Sequence, residues 1–274
     1  MIRDITIGQY YPAKSVLHRL DPRVKLVATL LYLISLFLFK NILGYLVTTV
    51  FLIAIIKLSK VPFRYIMRGM KPIMMLLLIT LLFNLFLTRE GDVLFHAWIF
   101  TITEGGLRTA ILMAIRLVYL ITGSSLMTFT TTPNELTDGI ESLLKPLNKI
   151  HVPVHEIAMI MSIALRFIPI LLEETDKIMK AQIARGADLE SGNMIQKAKS
   201  LVPILVPLFV SAFRRANDLA MAMEARCYRG GDGRTKMKPL HYTGVDRTAY
   251  VLVIFYVAAV VIIGRCVPFH VWIF

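Results

Sequence analysis

Two hexapeptides carry the most distinctive side-chain chemistry in this chain: Ala181-Gln182-Ile183-Ala184-Arg185-Gly186 and Ala222-Met223-Glu224-Ala225-Arg226-Cys227. Both read Ala-x-x-Ala-Arg-x, and they hold the only Ala-Arg dipeptides in the sequence. Small residues three apart let a helix end approach another surface closely. An arginine at the tip then projects a planar fork of donors suited to carboxylates. This is docking chemistry rather than bond-breaking chemistry. The same residues also suit a plain helix end, where a cation complements the macrodipole and a glycine just beyond takes a left-handed cap. Two copies at matching positions raise the weight of docking. The second copy has Cys227 where the first has Gly186, which leaves open whether a left-handed cap forms there or the helix ends slightly later at Gly230-Gly231.

Other reactive groups are sparse. Arg116 sits inside an apolar run, where an ionisable residue is either functional or buried against carbonyls and polar partners such as Asn84. Ala110 and Ala114, four apart on the same run, read as helix-packing residues. His151 and His155 are separated by Pro153 and form no His-Glu-x-x-His pattern, so no metal site is expected. No Gly-x-x-x-x-Gly-Lys-Ser/Thr loop is present, so the chain is not expected to bind ATP itself. Gly-x-Ser-x-Gly is absent as well. No cofactor and no catalytic residue follow from the sequence.

The elements that must position the two arginines are membrane elements. The chain has 274 residues, 56% of them hydrophobic, with a mean hydropathy of +0.65. Five apolar stretches read as spans: residues 24–39, 42–56, 72–87, 107–129 and 248–264. The first three are short and are expected to extend into interfacial residues or to meet a thinned bilayer. The first 20 residues lack the apolar core of a signal peptide, so the first span is expected to act as the insertion signal. The net charge of +13 fits the cationic bias of cytoplasmic segments better than nucleic-acid binding, for which no signature is present.

Charge also sets the orientation. With the N-terminus inside, the cytoplasmic segments hold Arg3, Lys14, Arg19, Arg23 and Lys25. They also hold the acid-free tract Lys57, Lys60, Arg64, Arg68, Lys71. Outer loops keep only Lys40, Arg89 and Arg265, beside Glu90, Asp92 and Glu104. This asymmetry predicts a cytoplasmic N-terminus and an external C-terminus. Cys227 and Cys266 then lie on opposite sides of the bilayer and cannot pair. The tract 57–71 is either a plain positive-inside loop or, with Val61, Phe63, Ile66 and Met70 among its bases, a segment lying on the membrane surface.

Residues 132–247 are too long and too charged for a simple loop. They open with Thr132-Pro133-Asn134-Glu135, a capping box with proline at the first helical position. Leu136, Ile140, Leu143, Leu144 and Leu147 follow at helical spacing. Two further helices are expected over 154–185 and 197–226. Their apolar runs, 157–172 and 201–213, are short for spans. Crossing there would carry Lys177, Lys180, Arg185, Lys197 and Lys199 outside, and would put Arg166 in hydrocarbon. Helices along the cytoplasmic face are the preferred reading, with two extra spans as the alternative. Such apolar faces need a covering partner or membrane.

On these residues the chain resembles the transmembrane T component (EcfT/CbiQ type) of energy-coupling factor transporters over nearly its whole length. The resemblance rests on Gly8 with the run Ser15-Val16-Leu17-His18-Arg19-Leu20-Asp21-Pro22-Arg23-Val24-Lys25, and on Thr132-Pro133-Asn134-Glu135-Leu136. It also rests on Ala164-Leu165-Arg166-Phe167-Ile168-Pro169 and, most specifically, on the two Ala-Arg motifs. It implies an all-α integral membrane protein of about five transmembrane helices, with cytoplasmic coupling helices inserted before the last span. The expected parts are 1–131, 132–247 and 248–274. It implies a non-enzymatic coupling subunit of a vitamin or metal-ion importer in the cell membrane. Arg185 and Arg226, flanked by Ala184, Gly186, Ala225 and Cys227, would dock into two ABC-type ATPase subunits. A separate substrate-binding S component would meet the apolar helix faces, for which the candidates are Ile157, Ile160, Met161, Ala164, Ile168, Leu171, Leu205, Leu208 and Phe209. The competing readings are an intramembrane enzyme built on Arg116, or a scaffold or channel subunit that needs no ATPase.

Overall fold

The computed structural model describes residues 10–39, 41–87, 93–97, 100–187, 193–231, 237 and 239–266. Gly8, Arg3, Lys40, Arg89, Glu90 and Asp92 lie outside these residues. In chain order the elements are α1 (Val16–Arg19), α2 (Pro22–Ser35), α3 (Ile42–Ser59), α4 (Phe63–Met70) and α5 (Met74–Leu87). A two-stranded hairpin follows, β1 (Val93–Ala97) and β2 (Phe100–Thr103). After it come α6 (Glu104–Thr130), α7 (Pro133–Leu144), α8 (Val154–Ala184), α9 (Met194–Ala225) and α10 (Gly244–Cys266). Short 3-10 turns join α4 to α5 and extend α7 over Lys145–Ile150.

The architecture is that of an all-α membrane protein, as the apolar runs predict. Among the described residues, four helices are long and apolar enough to cross a bilayer: Ile42–Ser59, Glu104–Thr130, Val154–Ala184 and Gly244–Arg265. The pair α4–α5 passes as a fifth if taken together across its 64° bend. Two details differ from the sequence reading. Helix α2 closes at Ser35 after 14 residues, in a tight turn where Phe37 and Leu38 donate to Ile34 and Ser35 carbonyls. And the stretch read as a bare outer loop contains the antiparallel β1–β2 pair, with Val93 opposite Thr103 and Ala97 opposite Phe100.

The chain divides into two units, residues 8–139 with 240–274, and residues 140–239. In the first unit, Tyr256 of α10 is the meeting point. Its ring stacks on Phe51 of α3 at 4.0 Å, and its hydroxyl contacts Ser35 Oγ at 2.9 Å and Thr48 Oγ1 at 3.1 Å. Polar groups buried this deeply must find partners; the Ser35 and Thr48 hydroxyls also donate to the Tyr32 and Gly44 carbonyls of their own helices, which leaves their oxygens as acceptors for the Tyr256 hydroxyl. Tyr32 packs against Gly123 of α6 so closely that a Cβ there would fall 2.3 Å from the ring, so only glycine allows this approach.

The residues of the N-terminal signature act as a fastener in the same unit. Asp21 caps α2 by accepting from the Arg23 amide, while its own N–H donates to Asp246 Oδ1 of α10 at 2.8 Å. Asp246 also accepts from the Thr243 amide and hydroxyl, which fixes the first turn of α10. Lys25, buried, donates to the Thr130 carbonyl at the end of α6 at 2.7 Å. Arg23 donates to the Leu240 carbonyl and lies 4.4 Å from the centre of the Tyr242 ring. Asp21, Arg23 and Lys25 thus bind the start of α2 to α6, to α10 and to the strand of chain entering α10.

The predicted capping box forms at the start of α7: Glu135 N–H donates to Thr132 Oγ1, and Thr132 N–H donates to Glu135 Oε2. In the second unit, α8 runs unbroken for 31 residues through Pro169, and α9 for 32 residues through Pro203 and Pro207. The argument from shortness therefore fails for α8, because the helix continues well beyond its apolar run. Helix α9 starts earlier than expected, at Met194, under a second capping box made by Asn193 and Gln196.

Candidate functional site

Helices α8 and α9 are clasped antiparallel. Glu174 of α8 accepts from Ser211 Oγ and, at 3.1 and 2.8 Å, from Nε and Nη2 of Arg215 on α9. These hydrogen bonds, Ser211 first and then Arg215, hold the Glu174 carboxyl below its ordinary range. Eight residues further along α8, Gln182 Nε2 donates to the Pro203 carbonyl at 3.1 Å. That carbonyl lacks its normal helical donor because Pro207, four residues on, has no N–H. The side chain of one helix therefore fills the gap that proline opens in the other. Ile204 of α9 is buried between these contacts.

The antiparallel pairing sends the two Ala-Arg ends in opposite directions. Arg185 lies 11 residues beyond Glu174 on α8, and Arg226 lies 11 beyond Arg215 on α9. At 1.5 Å per residue the two tips are about 33 Å apart along the pair.

Each tip is the same hydrogen-bonded cap. At the first, Arg185 is the C-cap, Gly186 N–H donates to the Ile183 carbonyl, and Ala187 N–H donates to the Gln182 carbonyl. At the second, Arg226 is the C-cap, Cys227 N–H donates to the Glu224 carbonyl, and Tyr228 N–H donates to the Met223 carbonyl. Both are Schellman motifs, with the residue after the arginine in the left-handed region: Gly186 at φ +87° and Cys227 at φ +56°. Of the two possibilities left open by the sequence, the left-handed cap at Cys227 forms, and the helix does not run on to Gly230-Gly231. Two good amide hydrogen bonds offset the left-handed strain, and α9 ends at Ala225. Gly231 instead packs on the His155 ring, with a Cβ position 2.6 Å from it.

Arg185 and Arg226 are both exposed, as are Ala184, Gly186, Ala225 and Cys227. Among the described residues neither guanidinium is engaged in an ion pair or hydrogen bond, so both forks are free for a ligand. The apolar candidates on the same two helices are exposed too: Ile157, Ile160 (62% exposed), Met161, Ala164, Ile168, Leu205 and Phe209 (62% exposed). Leu171 and Leu208 are half-buried.

Arg116 is not brought into this site. It belongs to the other unit, where Nη2 donates to the Phe39 carbonyl at 3.1 Å and the guanidinium lies near the rings of Phe37 and Tyr45. Of the two readings offered by the sequence, the structure favours a cation that satisfies the carbonyl left open past the end of α2. Asn84 turns to the Thr80 carbonyl of its own helix instead. His155 pairs with Glu141 at 3.0 Å, and among the described residues no group of three or more His, Cys, Asp or Glu gathers.

Glu174, Gln182 and Ser211 were not singled out from the sequence. The Pro203–Pro207 spacing announces an open carbonyl, but a single chain of letters does not say which side chain on another helix reaches it.

The family model for cobalt transport protein (CbiQ) matches residues 13–237 of this chain. A protein of Clostridium kluyveri named energy-coupling factor transporter transmembrane protein EcfT is 61% identical over 247 residues, covering 90% of this chain and 92% of its own. A protein of the same name from Thermosediminibacter oceani is 54% identical over 250 residues, covering 91% of this chain and 94% of its own. One from Bacillus subtilis is 50% identical over 254 residues, covering 93% and 96%.

Proposed function

The chain belongs to the cobalt transport protein (CbiQ) family, and on that footing we propose that it is the coupling subunit of an energy-coupling factor importer in the cell membrane. It docks two ABC-type ATPase subunits and passes their motion to a substrate-binding S component that takes up a vitamin or a metal ion. The observation that carries this reading is the pair of identical, exposed, arginine-tipped caps at opposite ends of one clasped helix pair. Two sockets about 33 Å apart suit two separate subunits better than one.

The mechanism follows from the same geometry. ATP binding and hydrolysis take place on the partners and move the two sockets relative to each other. Each arginine holds its socket through charge-assisted, two-pronged hydrogen bonds, stronger than contacts between neutral groups. The Schellman caps keep the arginines on rigid helix ends rather than on loose chain. The Glu174–Ser211–Arg215 clasp and the Gln182–Pro203 bond resist sliding of α8 past α9, so displacement at the tips becomes reorientation of the whole pair. The exposed apolar faces around Ile160, Ala164, Leu205 and Phe209 then drive the S component.

The region 132–247 is cytoplasmic in this reading, with the N-terminus inside and the C-terminus outside. Helix α8 is long enough to cross the bilayer. Crossing would bring Arg166 into hydrocarbon, at about 2.5–3.5 kcal/mol on insertion scales, and would move Lys177, Lys180 and Arg185 across. Replacing Arg185 and Arg226 together with alanine tests the reading. Uptake is expected to be abolished and co-purification of the ATPase subunits weakened. An intact complex with unchanged uptake would refute it.

A further inference from the structure

Residues 57–71 hold five cations, Lys57, Lys60, Arg64, Arg68 and Lys71, and no acid. All five are exposed, and among the described residues none takes part in an ion pair. The segment begins at the end of α3, a membrane-crossing helix, and leads into α5. Both neighbours are apolar, which sets this tract at the level of the bilayer surface.

Helix α4 lies in the middle of the tract and does not continue the line of α5, from which it is bent by 64°. With α5 taken along the membrane normal, a helix bent 64° from it lies closer to the membrane plane than to the normal. Its faces are sorted accordingly. Ile66 is buried in the core, and Tyr65 meets the rings of Tyr11 and Phe129, so this side fastens α4 to the protein. Arg64, Arg68 and Lys71 fall at i, i+4 and i+7 and form one stripe, while Lys60 stands before the helix, in the left-handed C-cap of α3. Phe63 (64% exposed) and Met67, also four apart, lie about a quarter-turn round from that stripe.

An apolar stripe that can enter the acyl boundary, flanked by cations at headgroup height, is the pattern of an interfacial helix. We infer that α4 and the adjoining cations form a binding surface for anionic phospholipid headgroups of the adjacent leaflet. Phe63 and Met67 insert beside them. A plain positive-inside loop would need neither the stripe nor the bend.

This inference depends only on the chain spanning the membrane, not on the coupling reading, so the two fail separately. The full-length chain carrying Phe63→Trp is placed in phosphatidylcholine discs containing brominated phosphatidylcholine or brominated phosphatidylglycerol, and quenching of the new tryptophan over the native background is compared. Each cation at an anionic surface contributes on the order of fivefold in association after screening. The expected result is a severalfold preference for phosphatidylglycerol. It falls to parity when Lys60, Arg64, Arg68 and Lys71 become glutamine, and it is kept when Arg64 and Arg68 become lysine. The lysine variant separates loss of charge from loss of folding. Equal quenching by both lipids in the parent, or no quenching by either, would overturn the inference. So would a glutamine variant that keeps its lipid preference but no longer co-purifies with the ATPase subunits, since the stripe would then be a protein contact.

Discussion

The two caps make a reciprocal exchange the sharpest structural test. Cys227 holds φ +56° and Gly186 holds φ +87°, in otherwise matching hydrogen-bond patterns. A left-handed conformation costs a residue with a Cβ about 1–2 kcal/mol, and glycine returns about 0.5–1 kcal/mol of that in chain entropy. Cys227→Gly should therefore stabilise the second cap by about 0.5–1 kcal/mol. Gly186→Ala should destabilise the first by about 1 kcal/mol or somewhat more. Nothing lies within 4 Å of a Cβ built on Gly186, so its loss is purely one of backbone conformation. Amide hydrogen exchange reads both caps directly, because the relevant amides are known: Gly186 and Ala187 in one, Cys227 and Tyr228 in the other. Exchange should slow about two- to fivefold at Cys227→Gly and at Tyr228, and speed up about fivefold at Ala187 in Gly186→Ala. Unchanged exchange in both variants, or faster exchange at residue 228 in Cys227→Gly, would refute the assignment of a strained left-handed cap.

Three further outcomes follow from the geometry. Glu174→Gln should lower uptake while leaving both ATPase subunits bound, with a stability loss within about 1 kcal/mol because the pair is solvent-screened. In the parent, the Glu174 carboxyl titrates below its unfolded value. The clasp is therefore fully present above the ordinary carboxylate range and lost as pH falls through the lowered folded value, which cross-linking of α8 to α9 against pH would follow. Asp246→Ala leaves the Asp21 and Thr243 amides without their acceptor and should destabilise the first unit by about 2–4 kcal/mol, measured by thermal unfolding of the purified chain. Arg116→Met should lower thermal stability, since the Phe39 carbonyl loses its donor, yet leave uptake per assembled complex unchanged; loss of uptake at full assembly would return Arg116 to a functional role.

Periodicity and composition carried much of this fold. The apolar runs announced the helices of the membrane unit, and Thr132-Pro133-Asn134-Glu135 announced the start of α7 to the residue. Local hydrogen-bond chemistry of that kind is written in adjacent letters. The left-handed Cys227 was not legible, because side-chain preference argues for glycine while the two amide bonds that decide the matter depend on the helix already ending there. The length of α8 was legible, since a helix over 154–185 is expected and Val154–Ala184 is seen; only the argument that it is too short to span fails, because it counts the apolar run 157–172 alone. The β1–β2 hairpin was missed because the stretch was read only as an interval between spans. Asp21, Arg23 and Lys25 stood out within a signature run, but their work of binding α2 to α6 and α10 joins residues more than 100 positions apart, as in the contacts of Lys25 with Thr130 and of Asp21 with Asp246. The two cap arginines were visible as a repeat, whereas the clasp between the helices that carry them exists only once α8 and α9 are laid side by side.

Cys227 offers the most direct test of the coupling account, since it is native, exposed and free, and stands next to Arg226. In a Cys266→Ser background, a membrane-impermeant maleimide should leave Cys227 unmodified in intact cells. It should modify it in inside-out vesicles stripped of the ATPase subunits, and much more slowly once those subunits are restored. Labelling of Cys227 from the cell exterior would contradict the account, as would labelling from the cytoplasmic side at a rate indifferent to the ATPases.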